Sequence, residues 1–189
     1  IAVAGEALAV TGTGIGSTGA LRSLSGVNSF GGTVTLGGDT LIQSDAGTFT
    51  LGNATAIVAG TNIVTFDGAG NLVVSGAITG TTASLVKNGA GQLTLSGANT
   101  YTGGTTITGG ALIVEAVGNR ETLGTGALTF NGSGATLQLA ENVSASIRSY
   151  ILSQTGTINT SGFDLTLNGN ATGAGGLIKA GAGTLELGG

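Results

Sequence analysis

Ser84–Val114 reads SLVKNGAGQLTLSGANTYTGGTTITGGALIV, and the alternation inside it decides how the chain folds. Leu93 and Leu95 are set to point one way, Thr94 and Ser96 the other. Ile107 sits within TTIT, and Leu112, Ile113 and Val114 form a denser apolar run. Short alternating runs bounded by Gly, Asn and Ser clusters mark half-buried strands. No window carries a helical period with caps. The stretch therefore predicts three strands, Leu93–Leu95, Thr105–Thr108 and Ala111–Val114, joined by tight corners.

Outward from this stretch the chain repeats itself. Leu177–Leu187, LIKAGAGTLEL, repeats Leu85–Leu95, LVKNGAGQLTL, at an offset of 92 residues. The lead-in recurs as well: NGNATG at Asn168–Gly173 matches SGAITG at Ser75–Gly80. A weaker copy, SGVNSFGGTVTL at Ser25–Leu36, matches SGANTYTGGTTIT at Ser96–Thr108. So long a period predicts about four stacked coils of ~20–25 residues each, the unit of a solenoid. Over the whole chain this gives eight or nine coils and a rod of roughly 40 Å.

The motif itself resembles a known family. Lys87, Gly89, Gly91, Leu93, Thr94, Leu95, Ser96, Gly97, Asn99, Thr100, Tyr101, Thr102, Gly103, Gly104 and Thr105 are similar to the autotransporter-associated β-strand repeat of bacterial passenger domains. Gln92 stands where that family more often has Thr. The resemblance implies an all-β, right-handed parallel β-helix, exported across an outer membrane and displayed on the cell surface. It implies no particular ligand, because passengers share the stalk and differ in what they bind. Residues 1–189 are expected to be one β-helix segment, a piece of a longer passenger domain.

Composition agrees with such a stack. The 189 residues include 39 Gly and no Pro, Cys or His, and mean hydropathy is +0.43. Gly lacks a regular period of three, which excludes collagen. Absence of Pro removes the commonest interruption of strand ladders. Charged residues are only 7%, against a usual ~25%. The five basic residues, Arg22, Lys87, Arg120, Arg148 and Lys179, are scattered and the net charge is −4, so no basic patch offers itself to nucleic acid. No apolar stretch is long enough for a transmembrane helix.

Further strands are predicted at Ala7–Thr11, Thr33–Leu36, Thr40–Ser44, Thr48–Leu51, Thr136–Leu139, Gly156–Asn159 and Leu165–Leu167, with Gly at the corners. Glu141–Leu152 fits helical and strand spacing alike; its Ser and Asn content favours strand. Gly118–Gly126, with Arg120 and Glu121, is the best candidate for a protruding loop.

Chemistry is sparsely supplied. The carboxylates are Glu6, Asp39, Asp45, Asp67, Glu115, Glu121, Glu141, Asp164 and Glu186. A polysaccharide-active β-helix enzyme needs such groups clustered, and Asp39 with Asp45 is the closest pair that a corner would bring together. Without His or Cys, Ser-His triads, His metal sites and thiol chemistry are excluded. GGDTL at Gly37–Leu41 and DGAGN at Asp67–Asn71 are single, incomplete versions of a tandem Ca²⁺ repeat. GIGSTG at Gly14–Gly19 and the Gly89–Gly91 turn precede no capped helix, so phosphate binding is unsupported. Thr11–Thr13, Thr33–Thr35, Thr48–Thr50 and Thr106–Thr108 would form an ice- or crystal-binding array only if stacked on one face. Tyr101, Tyr150, Phe30, Phe49, Phe66, Phe130 and Phe163 are expected in the core.

The expectation is therefore a non-enzymatic structural or adhesive rod with no catalytic, cofactor or metal residues. Its neighbours would be further coils of the same protein, or identical copies stacked end to end into a filament. Surface glycans or proteins are the external partners to expect. Ile1–Thr11 and Leu177–Leu187 read as open coil ends that more protein covers.

Overall fold

Most strands here are only three to five residues long, too short to persist alone in water. Each is stabilised by the turn before it and the turn after it. The computed structural model describes residues 2–115, 122–146 and 149–188. They form parallel sheets wound into a β-solenoid whose number of turns is close to the eight or nine coils expected. The only helical piece among the described residues is a single 3₁₀ turn, Ile15–Ser17.

Each turn has three faces, visited in chain order. The first face is a nine-stranded sheet: Ala2–Val3, Val27–Phe30, Thr48–Leu51, Asn71–Val74, Gln92–Leu95, Ala111–Val114, Thr136–Leu139, Gly156–Asn159 and Leu177–Ala180. The second face starts with Leu8–Gly12, continues through Thr55–Gly60 and Ala77–Gly80, and resumes higher up with Val143–Ser146, Leu165–Leu167 and Leu185–Leu187. The third face carries Leu21–Ser23, Ile63–Asp67, Ser84–Lys87, Thr105–Ile107, Leu128–Phe130, Tyr150–Leu152 and Ala171–Thr172. Val34–Ser44 runs without a break round the corner between second and third faces. Its Val34 and Thr35 pair with Thr55–Gly60, and its Thr40–Gln43 pair with Ile63–Asp67.

Register turns alternation into ladders. On the first face Phe49, Leu72, Leu93, Leu112, Leu137 and Ile158 stack inward. All are buried. Between them Thr50, Val73, Thr94, Ile113 and Gln138 stack outward and are half-buried. β-Branched side chains suit such a surface, packing flat against their neighbours above and below. The aromatic expectation holds for Tyr101, Tyr150, Phe30, Phe49, Phe66 and Phe130, which are buried; Phe163 is half-buried against the core.

Several expectations need correction. Ser84–Val114 holds four strands, because Ser84–Lys87 is one as well. Its SLVK pattern is short, and its inward Lys87 hides the alternation. Thr33–Leu36 and Thr40–Ser44 are one strand, since Gly37 and Gly38 stay extended over Thr11. Val27–Phe30 and Ala77–Gly80 are strands that small and polar residues concealed. Glu141–Leu152 contains the strands Val143–Ser146 and Tyr150–Leu152; Ile147 and Arg148 lie outside the described residues. The predicted loop 118–126 does not protrude over its described part, as Thr122, Leu123 and Gly124 are buried. Arg120 and Glu121 lie outside the described residues.

The repeat and the coil are not the same unit. Val86 on the third face is in register with Thr106, Thr129, Ile151 and Thr172, four coils and 86 residues on. The sequence repeat steps 92 residues. Each copy therefore lands one face further round: Lys87 belongs to a third-face strand and Lys179 to a first-face strand. A strand, a GxG corner and a second strand are found at both of these edges of the triangle, with the first glycine of each corner at positive φ, Gly89 at 65° and Gly181 at 74°.

Candidate functional site

The residues that define the repeat lie on three consecutive turns and bond from one turn to the next. Lys87 occupies an inward row between Phe66 and Ile107 and is 2% exposed. Its stem lies in the apolar ladder while its ammonium bends into the corner ahead. There Nζ donates to the carbonyl oxygens of Asn88, of Gly89 at 3.0 Å and of Gly109 at 3.2 Å. Gly109 belongs to the following turn, so this one cation joins two coils. Burial pushes Lys87 down to about 8, the nearby Asp67 carboxylate opposing that shift.

Beside it, corner side chains form a polar ladder. Asp67 Oδ2 accepts from Asn88 Nδ2 at 2.7 Å, and Asn88 Oδ1 accepts from Thr108 Oγ1 at 2.9 Å. Asp67 Oδ1 accepts the Gly68 N–H at 2.6 Å. The DGAGN segment is thus a satisfied corner, its carboxylate already bonded on both oxygens.

Asn99 stands where the second face has no assigned strand. Its Oδ1 accepts the Ile78 N–H of the turn below at 2.7 Å, and its Nδ2 donates to the Thr122 carbonyl of the turn above. One side-chain amide bonds the turns on both sides, beside the backbone bonds from Thr100 N–H to the Ile78 carbonyl and from Thr125 N–H to the Tyr101 carbonyl, and this requires a group that both donates and accepts. Tyr101 follows, fully buried. Thr105 Oγ1 donates to the Leu123 carbonyl at 3.1 Å, so the phenol donates to Thr105 across 2.7 Å. Gly124 lies on the ring: a Cβ there would sit 2.7 Å from two ring carbons. Sequence reasoning took Asn99 and Tyr101 as motif letters and missed this bonding; an Asn that interrupts an alternating run was the available signal.

The carboxylates are not brought together. Asp39 and Asp45 lie at opposite ends of the rung formed by residues 40–44, at two different corners. Asp39 Oδ1 accepts the Ile63 N–H of the next turn at 2.8 Å. Asp164 does the same for Thr184 at 2.7 Å, as do Asn71 for Gln92 and Asn142 for Asp164. These side chains join coils. Asp45 pairs with Arg22 on the turn below, Nε to Oδ2 at 2.9 Å, and accepts from Gln43 at 2.7 Å. The Arg22 hydrogen bond, then that from Gln43, holds the Asp45 carboxyl below its usual range. Glu6, Glu115, Glu141 and Glu186 are spread along the rod, and Glu121 lies outside the described residues. No cluster of three or more potential metal ligands occurs among the described residues.

The Thr pairs do not align either. Thr48–Thr50 is on the first face and Thr106–Thr108 at the third; Thr33–Thr35 and Thr11 share the second, but Thr35 pairs with Ala9, so the Thr11–Thr13 pair is out of step with it. Gly14–Gly19 wraps a 3₁₀ turn instead of opening a helix. A cavity of about 390 Å³ opens at the first turn, floored by Val3, Leu21, Phe30 and Phe49 and rimmed by Ser23 and Asn28.

No curated protein and no solved structure matches the chain. The model of the passenger-associated-transport-repeat family does match, over residues 85–114 and again over 177–189, so the segment bearing Lys87, Asn99 and Tyr101 and its partial copy at Lys179 are both similar to that repeat.

Proposed function

We propose that this chain is a non-enzymatic rod segment of a protein exported to the bacterial cell surface, with a structural or adhesive role. One observation carries the reading: the signature side chains of the passenger repeat, Lys87, Asn99, Tyr101 and Thr105, spend their polar atoms on neighbouring coils or on one another. They maintain a stack and face no substrate. A parallel stack also suits export. Each finished turn offers an edge on which the next turn pairs, so the chain folds progressively as it emerges. The outward rows, built from Thr, Val and Ile, present a flat, uncharged flank to surface glycans or proteins.

The test is display. The chain is placed between a secretory signal and an outer-membrane translocator barrel, and intact cells are treated with protease. Surface exposure of a protease-resistant rod is expected. Retention inside the cell, while an established passenger on the same barrel reaches the surface, would overturn the reading. Turnover of a polysaccharide by the pure chain, abolished by Asp39→Asn or Asp45→Asn, would overturn the non-enzymatic part.

A further inference from the structure

Three Asn-Gly pairs stand at corners of the described stack: Asn88–Gly89, Asn131–Gly132 and Asn168–Gly169. This dipeptide carries a reaction of its own. The glycine nitrogen, with no Cβ beside it to hinder approach, attacks the Cγ of the preceding Asn side chain. The glycine N–H gives its proton to solvent base and the N–Cγ bond forms. The bond from Cγ to the side-chain nitrogen breaks, and ammonia leaves with a proton from water. Water then opens the five-membered imide at either carbonyl, leaving Asp or isoaspartate. Water is the only co-reactant, and nothing is oxidised or reduced. How fast a given pair reacts depends on whether its two groups are free to meet.

Asn88 and Asn131 make a matched comparison. Each directly follows a third-face strand, Ser84–Lys87 or Leu128–Phe130. Each donates its backbone N–H to the turn below, Asn88 to the Phe66 carbonyl and Asn131 to the Ile107 carbonyl. Both Asn residues are exposed and both glycines half-buried. The side-chain amides differ. Asn88 is held at both atoms, Nδ2 donating to Asp67 and Oδ1 accepting from Thr108. No described residue bonds the Asn131 amide or the Gly132 N–H. Gly132 is itself imposed by the stack, since a Cβ there would lie 1.7 Å from the Thr108 carbonyl oxygen. This corner therefore fixes an unhindered nucleophile and leaves the group it attacks loose. Asn168 is exposed as well, but Gly169 is buried, which shields its nitrogen from base.

We propose that Asn131 is a site of spontaneous covalent modification in the folded solenoid, converting through the imide with Gly132 to Asp and isoaspartate, while the stack protects Asn88 and Asn168. The product adds a negative charge to a chain with nine acidic residues. In its isoaspartate form it also adds one main-chain carbon at a corner packed directly on Thr108. The chemistry depends on the corner alone and is independent of surface display.

The experiment holds the full chain in mildly alkaline buffer, well below its melting temperature. Each Asn-Gly pair is followed by peptide mass spectrometry, with isoaspartate scored by enzymatic methylation. The same chain in urea is the reference. In the fold, Asn131 is expected to react at least about tenfold faster than Asn88, which must break two hydrogen bonds first. Asn168 should be slowed by a like amount. In urea all three should react at comparable rates. Asn131→Gln, at an exposed position, should abolish the charge shift that ion exchange detects in aged wild type, with melting unchanged. Equal rates for Asn88 and Asn131 in the folded chain would overturn the proposal. So would an Asn131 that reacts only in urea, or a charge shift that persists in Asn131→Gln.

Discussion

Asn99 shows how much one side chain carries where the backbone ladder is interrupted. Its amide bonds Ile78 below and Thr122 above, and it is buried. Asn99→Ala leaves a buried N–H and a buried carbonyl without partners, a loss of about 2–4 kcal/mol. Asn99→Asp is expected to be at least as harmful, because a carboxylate then faces the Thr122 carbonyl. Urea unfolding measures both; an Ala variant within error of wild type would remove Asn99 from the coil-to-coil bonding. Lys87 gives a pH signature. Its pKa falls to about 8 in the fold, against ~10.4 for an unperturbed lysine. Between those values the unfolded chain binds more protons than the folded one, so this group makes stability rise with pH from about 8 towards 10. Melting scans across that window should show the rise in wild type and lose it in Lys87→Met. An identical slope in both would assign it to other groups.

At the scale of the element, the corner sets what the strands can do. Gly91 packs so closely that a Cβ would lie 2.0 Å from the Gly70 carbonyl oxygen one turn below. Gly52 occupies another corner with nothing within 4 Å of the same position. Gly91→Ala must therefore push two turns apart and break the adjoining ladder, with an expected loss of about 2–4 kcal/mol. Gly52→Ala is expected to be neutral or to stabilise by up to ~1 kcal/mol, through the unfolded chain. Paired denaturation curves decide it, and equal costs would show that spacing between turns does not govern the corners. This close approach also explains why the repeat moves from face to face. The corner with Gly89 and Gly91 and the one with Gly181 and Gly183 both turn against backbone of the previous coil, at different edges of the triangle.

For the molecule as a whole, stability is the sum of turn-to-turn ladders. Leu93 and Leu95 sit at the middle of two inward rows, both with no exposed surface. Leu93→Asp and Leu95→Asp should each cost several kcal/mol by burying an unpaired carboxylate, and by similar amounts. Thr94→Asp, on the outward row between them, should cost ~1 kcal/mol or less. Thermal melts of the three variants test the whole inward–outward assignment; a Thr94 variant as damaged as the Leu variants would reverse it.

What the amino-acid sequence determined by itself was the local alphabet. Alternation at Thr48–Leu51, Thr136–Leu139 and Gly156–Asn159 names the strands and which of their side chains face inward, because the side-chain period of a strand is fixed by its backbone. The repeated corner motif names a solenoid and the passenger repeat, because a unit that cannot bury its own face must stack on its neighbours. Only the tertiary structure decided which residues stand above one another. Turns differ in length: 19 residues separate Leu93 from Leu112, and 27 separate Ala2 from Ser29. The sequence period of 92 therefore conceals a step of four coils and one face. The partners of Lys87, Asn99 and Asp39 are likewise about 20 residues away in the chain. Such contacts depend on the stacking register of whole turns, which no local pattern encodes.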